Sequence, residues 1–151
     1  MYMVLIKSIW DIISIFILIV PLTSIKLAFQ GKFYMTFGLI ICYYLEKNIK
    51  LFTTGLSPTI FKRPDNAVNC NLFNDGGKVG FKSGFPSGHV AIFSYFCNYY
   101  YFSYYPSFNL KKFCLFNIFP IIMGISRYMK DCHNFYQIIM GHILGIIVAF
   151  I

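Results

Sequence analysis

Five apolar runs punctuate the chain: Val4–Leu22, Phe33–Leu45, Val90–Tyr105, Phe113–Ile125 and Ile138–Ile151, each nearly free of charge. A helix needs about 20 apolar residues to cross the hydrocarbon of a bilayer, and only the first run reaches that length unaided. The others must borrow flanking Tyr, Phe and Asn. The pattern predicts an all-α membrane protein, a bundle of about five transmembrane helices, the last one short. The first run also resembles a secretory signal, but Lys7 and Asp11 interrupt it and no small-residue cleavage site follows, so it is read as a retained span. Lys7 and Asp11 stand four apart, a spacing that lets one helix face carry both as a pair near the membrane edge.

Against these runs stands one long polar insert, residues 47–89, rich in Gly, Asn, Pro and Lys and read as loop and turn. A connection of that length inside a compact domain is ordinarily functional. No internal repeat or low-complexity tract divides the chain, so residues 1–151 read as a single domain. The insert follows span two and precedes span three. Spans three and four form a hairpin with its far turn at YYPSFNLKK, and the chain returns at SRYMKDCHNFYQ, residues 126–137. An even number of crossings separates the two polar segments. They therefore face one membrane surface and can meet in one site.

Composition agrees with the membrane reading: 58% hydrophobic, 21% aromatic and only 12% charged residues lie well outside the soluble norm. A net charge of +8 would suggest nucleic acid in a soluble chain. In a membrane chain it reports loop orientation or contact with headgroups and phosphates, so no nucleic-acid partner is expected. Of the cysteines, Cys42, Cys97 and Cys114 fall in spans, whereas Cys70 and Cys132 lie in the two polar segments. Five unpaired thiols and a Cys70–Cys132 bond both remain open.

The polar surface gathers Lys47, Lys50, Lys62, Arg63, Lys78, Lys82, Ser87, Gly88, His89, Arg127, Lys130 and His133. Its acids, Glu46, Asp65, Asp75 and Asp131, are scattered rather than clustered as two-metal phosphate chemistry requires. Cations with two histidines suit another strategy. Arginine and lysine surround the equatorial oxygens of a phosphoryl group, one histidine attacks, and the other protonates the leaving oxygen. Arg63 precedes Pro64, which restricts the local backbone, and offers a guanidinium fork. Pro86-Ser87-Gly88-His89 places a hydroxyl and a close backbone approach at the start of span three, where free helix N–H groups favour an anion. Taken alone, Ser-Gly-His at a helix start is ordinary capping.

The joint pattern resembles the type 2 phosphatidic acid phosphatases, membrane relatives of the vanadium haloperoxidases. Their signature runs Lys-x6-Arg-Pro, then Pro-Ser-Gly-His, then Ser-Arg-x5-His-x3-Asp. This chain has Arg63-Pro64, Pro86-Ser87-Gly88-His89, and Ser126-Arg127 with His133 at the family spacing, a match over roughly residues 47–145. The resemblance implies His133 as nucleophile, His89 as general acid, and Arg63, Arg127, Ser87 and Gly88 as phosphate ligands. It implies a lipid phosphate or diphosphate substrate in the membrane, with no metal or other cofactor. Two positions depart from the pattern. Leu56 stands where the motif lysine falls, so Lys50 or Lys62 must supply that charge, Lys50 being preferred at the end of span two. Gln137 replaces the Asp that orients the nucleophile, leaving that role to its amide or to Asp131. A glutamine there is similar to the dolichyl diphosphate phosphatase branch, which points toward isoprenyl diphosphates.

The alternative is a non-catalytic relative that keeps the cradle to bind anionic headgroups, motivated by Leu56 and Gln137. A soluble haloperoxidase is disfavoured by the apolar spans. His142, within the last span, reads as a packed or lumen-facing residue, and the Tyr and Phe of YFCNYYYFSYY as an interface belt. Lys111 and Lys112 anchor the far hairpin tip, and Asn69, Asn71, Asp75, Gly76 and Gly77 form a turn-rich loop that can cover the site. Lys7, Lys47, Lys50, Lys62, Arg63, Lys78, Lys82, Arg127 and Lys130 crowd the site face, against Lys26, Lys32, Lys111 and Lys112 opposite. Several of the former would serve phosphate instead, so the positive-inside rule does not decide which compartment the site faces.

Overall fold

A computed structural model describes residues 8–31, 33–56, 59–71, 76–80 and 82–151. Lys7, the expected partner of Asp11, lies outside them, as do Lys32 and Asp75. The described residues are helical apart from loops and the isolated bridges Lys62–Ser83 and Val68–Lys78; no strand forms among them.

The first rod consists of α1 (Ile9–Ile15), a 3₁₀ turn (Phe16–Leu18) and α2 (Ile19–Phe29). The expected break after Leu22 does not occur. Pro21 has no N–H to donate back to Ile17, and the ladder tightens to 3₁₀ just ahead of it instead of ending. Asp11 binds Lys130 at 2.7 Å and closes a capping box with Ser8.

Next come α3 (Tyr34–Thr53), α4 (Gly88–Tyr104), α5 (Leu110–Met129) and α6 (Phe135–Phe150). Helix α3 runs eight residues past the expected Leu45, because Glu46 and Lys50 pair across one turn and keep that end helical. Helix α5 likewise extends beyond Ile125, so Ser126 and Arg127 sit in its last turn and not in the loop. At 20 residues each, α3 and α5 are about 30 Å long. Among the described residues, Ile9–Phe29 is the one helix long and apolar enough to cross a membrane by length and composition, and Phe135–Phe150 is a shorter apolar one.

Helix α4 is central, packed against α6, α5 and α3. Its contact with α6 depends on two glycines one turn apart. A β-carbon at Gly141 would lie 2.5 Å from the Ser87 carbonyl oxygen, and one at Gly145 would overlap the Ala91 backbone. Small residues at this spacing let two helix backbones touch. The same face of α6 carries Gln137 one turn above Gly141, so the packing that joins the helices also sets Gln137 beside the start of α4.

Beside its apolar core the bundle buries small polar residues, and it leaves large apolar ones exposed. Ser14, Ser24, Ser94, Asn98 and Asn117 are buried, whereas Phe29, Phe37, Leu110, Phe119 and Phe135 are exposed. Three of these are paired with one another or with backbone: Asn98 and Asn117 exchange amide bonds of 3.0 and 3.1 Å, and Ser94 donates to the His142 carbonyl at 3.0 Å.

Candidate functional site

At one end of the bundle the chain between α3 and α4 folds over the turn between α5 and α6. A disulfide joins Cys70 to Cys132 and ties the two segments, resolving the alternatives left by the sequence. Asn66 adds a 2.8 Å bond to the Asp131 carboxylate. That bond places Asp131 at the surface, in contact with Asn66.

Between these segments and the ends of α3 and α4 opens a cavity of about 380 Å³. Glu46, Lys47, Lys50, Arg63, Gly88, His89 and His133 line it, with Asn71 and Gly76 from the loop expected to cover it. Each arrives from a different local structure. Lys50 projects from the last turn of α3 and pairs with Glu46. Arg63 sits in the bridge-flanked loop, its backbone N–H bonded to the Lys82 carbonyl at 3.0 Å. His89 occupies the first turn of α4, whose opening N–H groups lack helical acceptors.

Ser87 is the N-cap of α4, yet its side chain makes no cap bond, and its buried Oγ finds no partner among the described residues. Its N–H is taken by the Gln137 carbonyl at 2.9 Å. The ordinary capping explanation for Ser-Gly-His therefore fails for the hydroxyl. His89 Nε2 and Arg127 Nε are also buried without a partner among the described residues. Such atoms are costly unless a ligand completes them.

Gln137 controls His133. The Gln137 Nε2 donates to the Ile60 carbonyl at 3.1 Å and to the Lys62 carbonyl at 2.7 Å. That fixes the amide so that Oε1 faces His133 Nδ1 at 2.9 Å. An amide oxygen only accepts, so Nδ1 carries the hydrogen and Nε2 keeps its lone pair. Arg63 Nη1 stands 3.3 Å from that Nε2 and donates to the Cys132 carbonyl at 2.9 Å. His133 is held well below the usual histidine pKa by burial, then by the charges of Arg63, Arg127 and Lys50, with the Gln137 bond opposing. Burial also lowers Arg63, with Glu46 opposing.

Arg127 is fully buried beside the cavity and does not form part of its lining. Its guanidinium donates to Ser14 Oγ and to the Cys70 carbonyl, each at 2.5 Å. Lys62 also takes a different place: its carbonyl holds Gln137, and it lines a neighbouring groove with Lys47, Lys50, Leu56, Lys82 and Ser83. Of the two lysines considered for the missing motif charge, the structure brings Lys50 to the cavity and Lys62 to that groove.

Sequence reasoning missed Glu46 as a lining residue, although its four-residue spacing to Lys50 was a signal. It also missed Ser14, whose approach to Arg127 across 113 positions leaves no local trace. No three His, Cys, Asp or Glu gather among the described residues where they could share a metal ion.

The helical bundle thus brings an arginine, a lysine and two histidines to one cavity near the start of α4. The chain belongs to the PAP2 superfamily, whose family model matches residues 31–151 and so covers α3 to α6 and every charged lining residue of the cavity. Members are typically phosphatases. No curated protein and no solved structure matches the chain.

Proposed function

We propose that this chain is a multi-pass membrane phosphatase that removes phosphate from a lipid phosphomonoester or an isoprenyl diphosphate through a phosphohistidine on His133. The carrying observation is the Nε2 lone pair of His133, fixed by Gln137 and set beside Arg63. The phosphoryl group binds against Lys50, Arg63 and the opening amides of α4, with Ser87 Oγ and Arg127 as further donors. Attack by Nε2 breaks the bond to the ester oxygen. His89 protonates that oxygen, because a phosphate charge beside its Nε2 favours the imidazolium. Water then cleaves the phosphohistidine. No step calls on a metal.

The exposed apolar side chains on the outer helices and the paired Asn98 and Asn117 inside support burial of the bundle in a bilayer as five spans. A cavity at the helix ends suits a substrate whose phosphate lies at the interface. The Cys70–Cys132 bond favours a site on the oxidising side of the membrane.

The test is phosphate release by detergent-purified protein, in EDTA, from phosphatidic acid and from an isoprenyl diphosphate, with His133→Ala alongside. Release lost in the variant, with acid-labile phosphate trapped on the wild-type chain, is expected. Release that survives His133→Ala would overturn the mechanism. No release from a folded wild-type protein would favour the headgroup-binding reading.

A further inference from the structure

Both arginines of the site end on the backbone of the disulfide. Arg63 Nη1 donates to the carbonyl of Cys132, and Arg127 Nη2 donates to the carbonyl of Cys70. The Cys132 N–H in turn bonds the Arg127 carbonyl at 3.0 Å, and the next residue is His133. The bond spans 62 positions and is buried in a small cluster with Ala67 and Val79. Asn69 and Asp131 hold positive φ on either side of it, so both segments turn sharply to present those carbonyls.

We propose that Cys70 and Cys132 are positioning residues whose disulfide holds the two carbonyl acceptors at the separation that aims Arg63 and Arg127 at one phosphoryl group. This rests on the phosphatase reading for turnover, and on the cation cradle alone for anion binding. Arg127 is buried beside the cavity and anchored also on Ser14 Oγ, whereas the Arg63 guanidinium has no preferred place in an open cavity. With one N–H anchored on a fixed carbonyl, its remaining donors point in a set direction. Opening the bond leaves each carbonyl in place chemically but frees the loops that carry them.

The experiment compares wild-type protein with the Cys70→Ser/Cys132→Ser double variant. It reads inorganic phosphate affinity by calorimetry, and KM and kcat on phosphatidic acid. The expected result is phosphate affinity and KM weakened together by roughly 10- to 100-fold, the scale of a misplaced binding group, with kcat changed less. A bond that only staples the fold would lower the active fraction, so apparent kcat would fall with KM and phosphate affinity unchanged; that result overturns the proposal. Asn66→Ala provides a second variant that keeps the disulfide, cuts the exposed Asn66–Asp131 link, and should shift the same constants in the same direction by a few-fold. Wild-type protein that binds phosphate without turnover would sink the phosphatase reading and leave the clamp to be judged on phosphate affinity. Wild-type protein that does not bind phosphate would overturn both.

Discussion

The two ends of the bundle treat buried polar groups in opposite ways. At the far end, Asn98 and Asn117 exchange amide bonds, and the Tyr101 hydroxyl donates to the Asn109 carbonyl while accepting its N–H at 2.8 Å. Around them Tyr101 meets Tyr105, Phe108, Phe113 and Phe116 ring to ring. At the site end, Ser87 Oγ, His89 Nε2 and Arg127 Nε lack partners among the described residues. The first pattern fixes helices, and the second leaves hydrogen-bonding capacity that the proposed phosphate would use. His142 falls between: its Nδ1 is unpartnered among the described residues and the residue lines an apolar groove between α5 and α6.

The largest expected effect comes from removing a charge at the site end. Arg63→Ala deletes the donor beside His133 Nε2 and should lower kcat/KM by roughly 10²- to 10³-fold, the scale of losing a preorganised donor to developing charge. Melting temperature should change little, since Arg63 is only half buried. An unfolded variant would show that the far-end rule, polar groups as structure, extends to the site.

Gln137→Glu comes next and separates two explanations of the glutamine. If it were a weakened aspartate, a carboxylate would restore activity. The geometry says otherwise: the amide NH2 holds the Ile60 and Lys62 carbonyls, and a carboxylate oxygen there would face two other oxygens. Gln137→Glu should cost about 10- to 100-fold in kcat/KM through misorientation of His133. A gain in activity would contradict this account.

The sequence made the helices legible because their apolar runs are long. It misplaced their ends where a polar residue is paired, within the helix as Glu46 with Lys50 or across helices as Arg127 with Ser14. The site was legible as a set of residues because order and spacing carry it. The second function of Gln137 was hidden because it depends on carbonyls about 75 residues away, which no side-chain pattern encodes. The anchoring of both arginines on cysteine carbonyls was hidden for the same reason: backbone acceptors are anonymous in a sequence.

At the far end, Asn98→Leu should do the reverse of the site substitutions. It leaves the buried Asn117 Oδ1 without its donor, while Nδ2 keeps the Phe113 carbonyl, at a cost of about 1–3 kcal/mol in stability. KM and kcat of the surviving folded protein should match wild type. A change in KM would mean that the two ends are coupled through α4.

Acidification should distinguish the ends more gently. Neutral His133 in the folded protein and a histidine that protonates near pH ~6.5 in the unfolded chain give the unfolded state more protons as pH falls. Stability therefore declines through that range, while kcat/KM loses less than about twofold between pH ~7 and ~6 to protonation of His133, whose pKa lies well below the usual value. A loss of activity centred near pH ~6.5 as the pH falls, the limb on which a nucleophile is protonated and a general acid is not lost, would place His133 in water.

The smallest effect should follow from restoring the motif lysine itself. Leu56 lies in the groove with Lys47, Lys50, Lys62 and Lys82, and it is absent from the lining of the cavity that holds His89 and His133. Lys50 already supplies a cation to that cavity from the last turn of α3. Leu56→Lys would place another ammonium among lysines, where repulsion turns it toward solvent. Phosphate release should stay within about twofold of wild type, below the tenfold step that about 1.4 kcal/mol would give. A larger increase would mean that the loop after α3 moves when substrate binds, so that the position two turns past Lys50 is the one that meets phosphate.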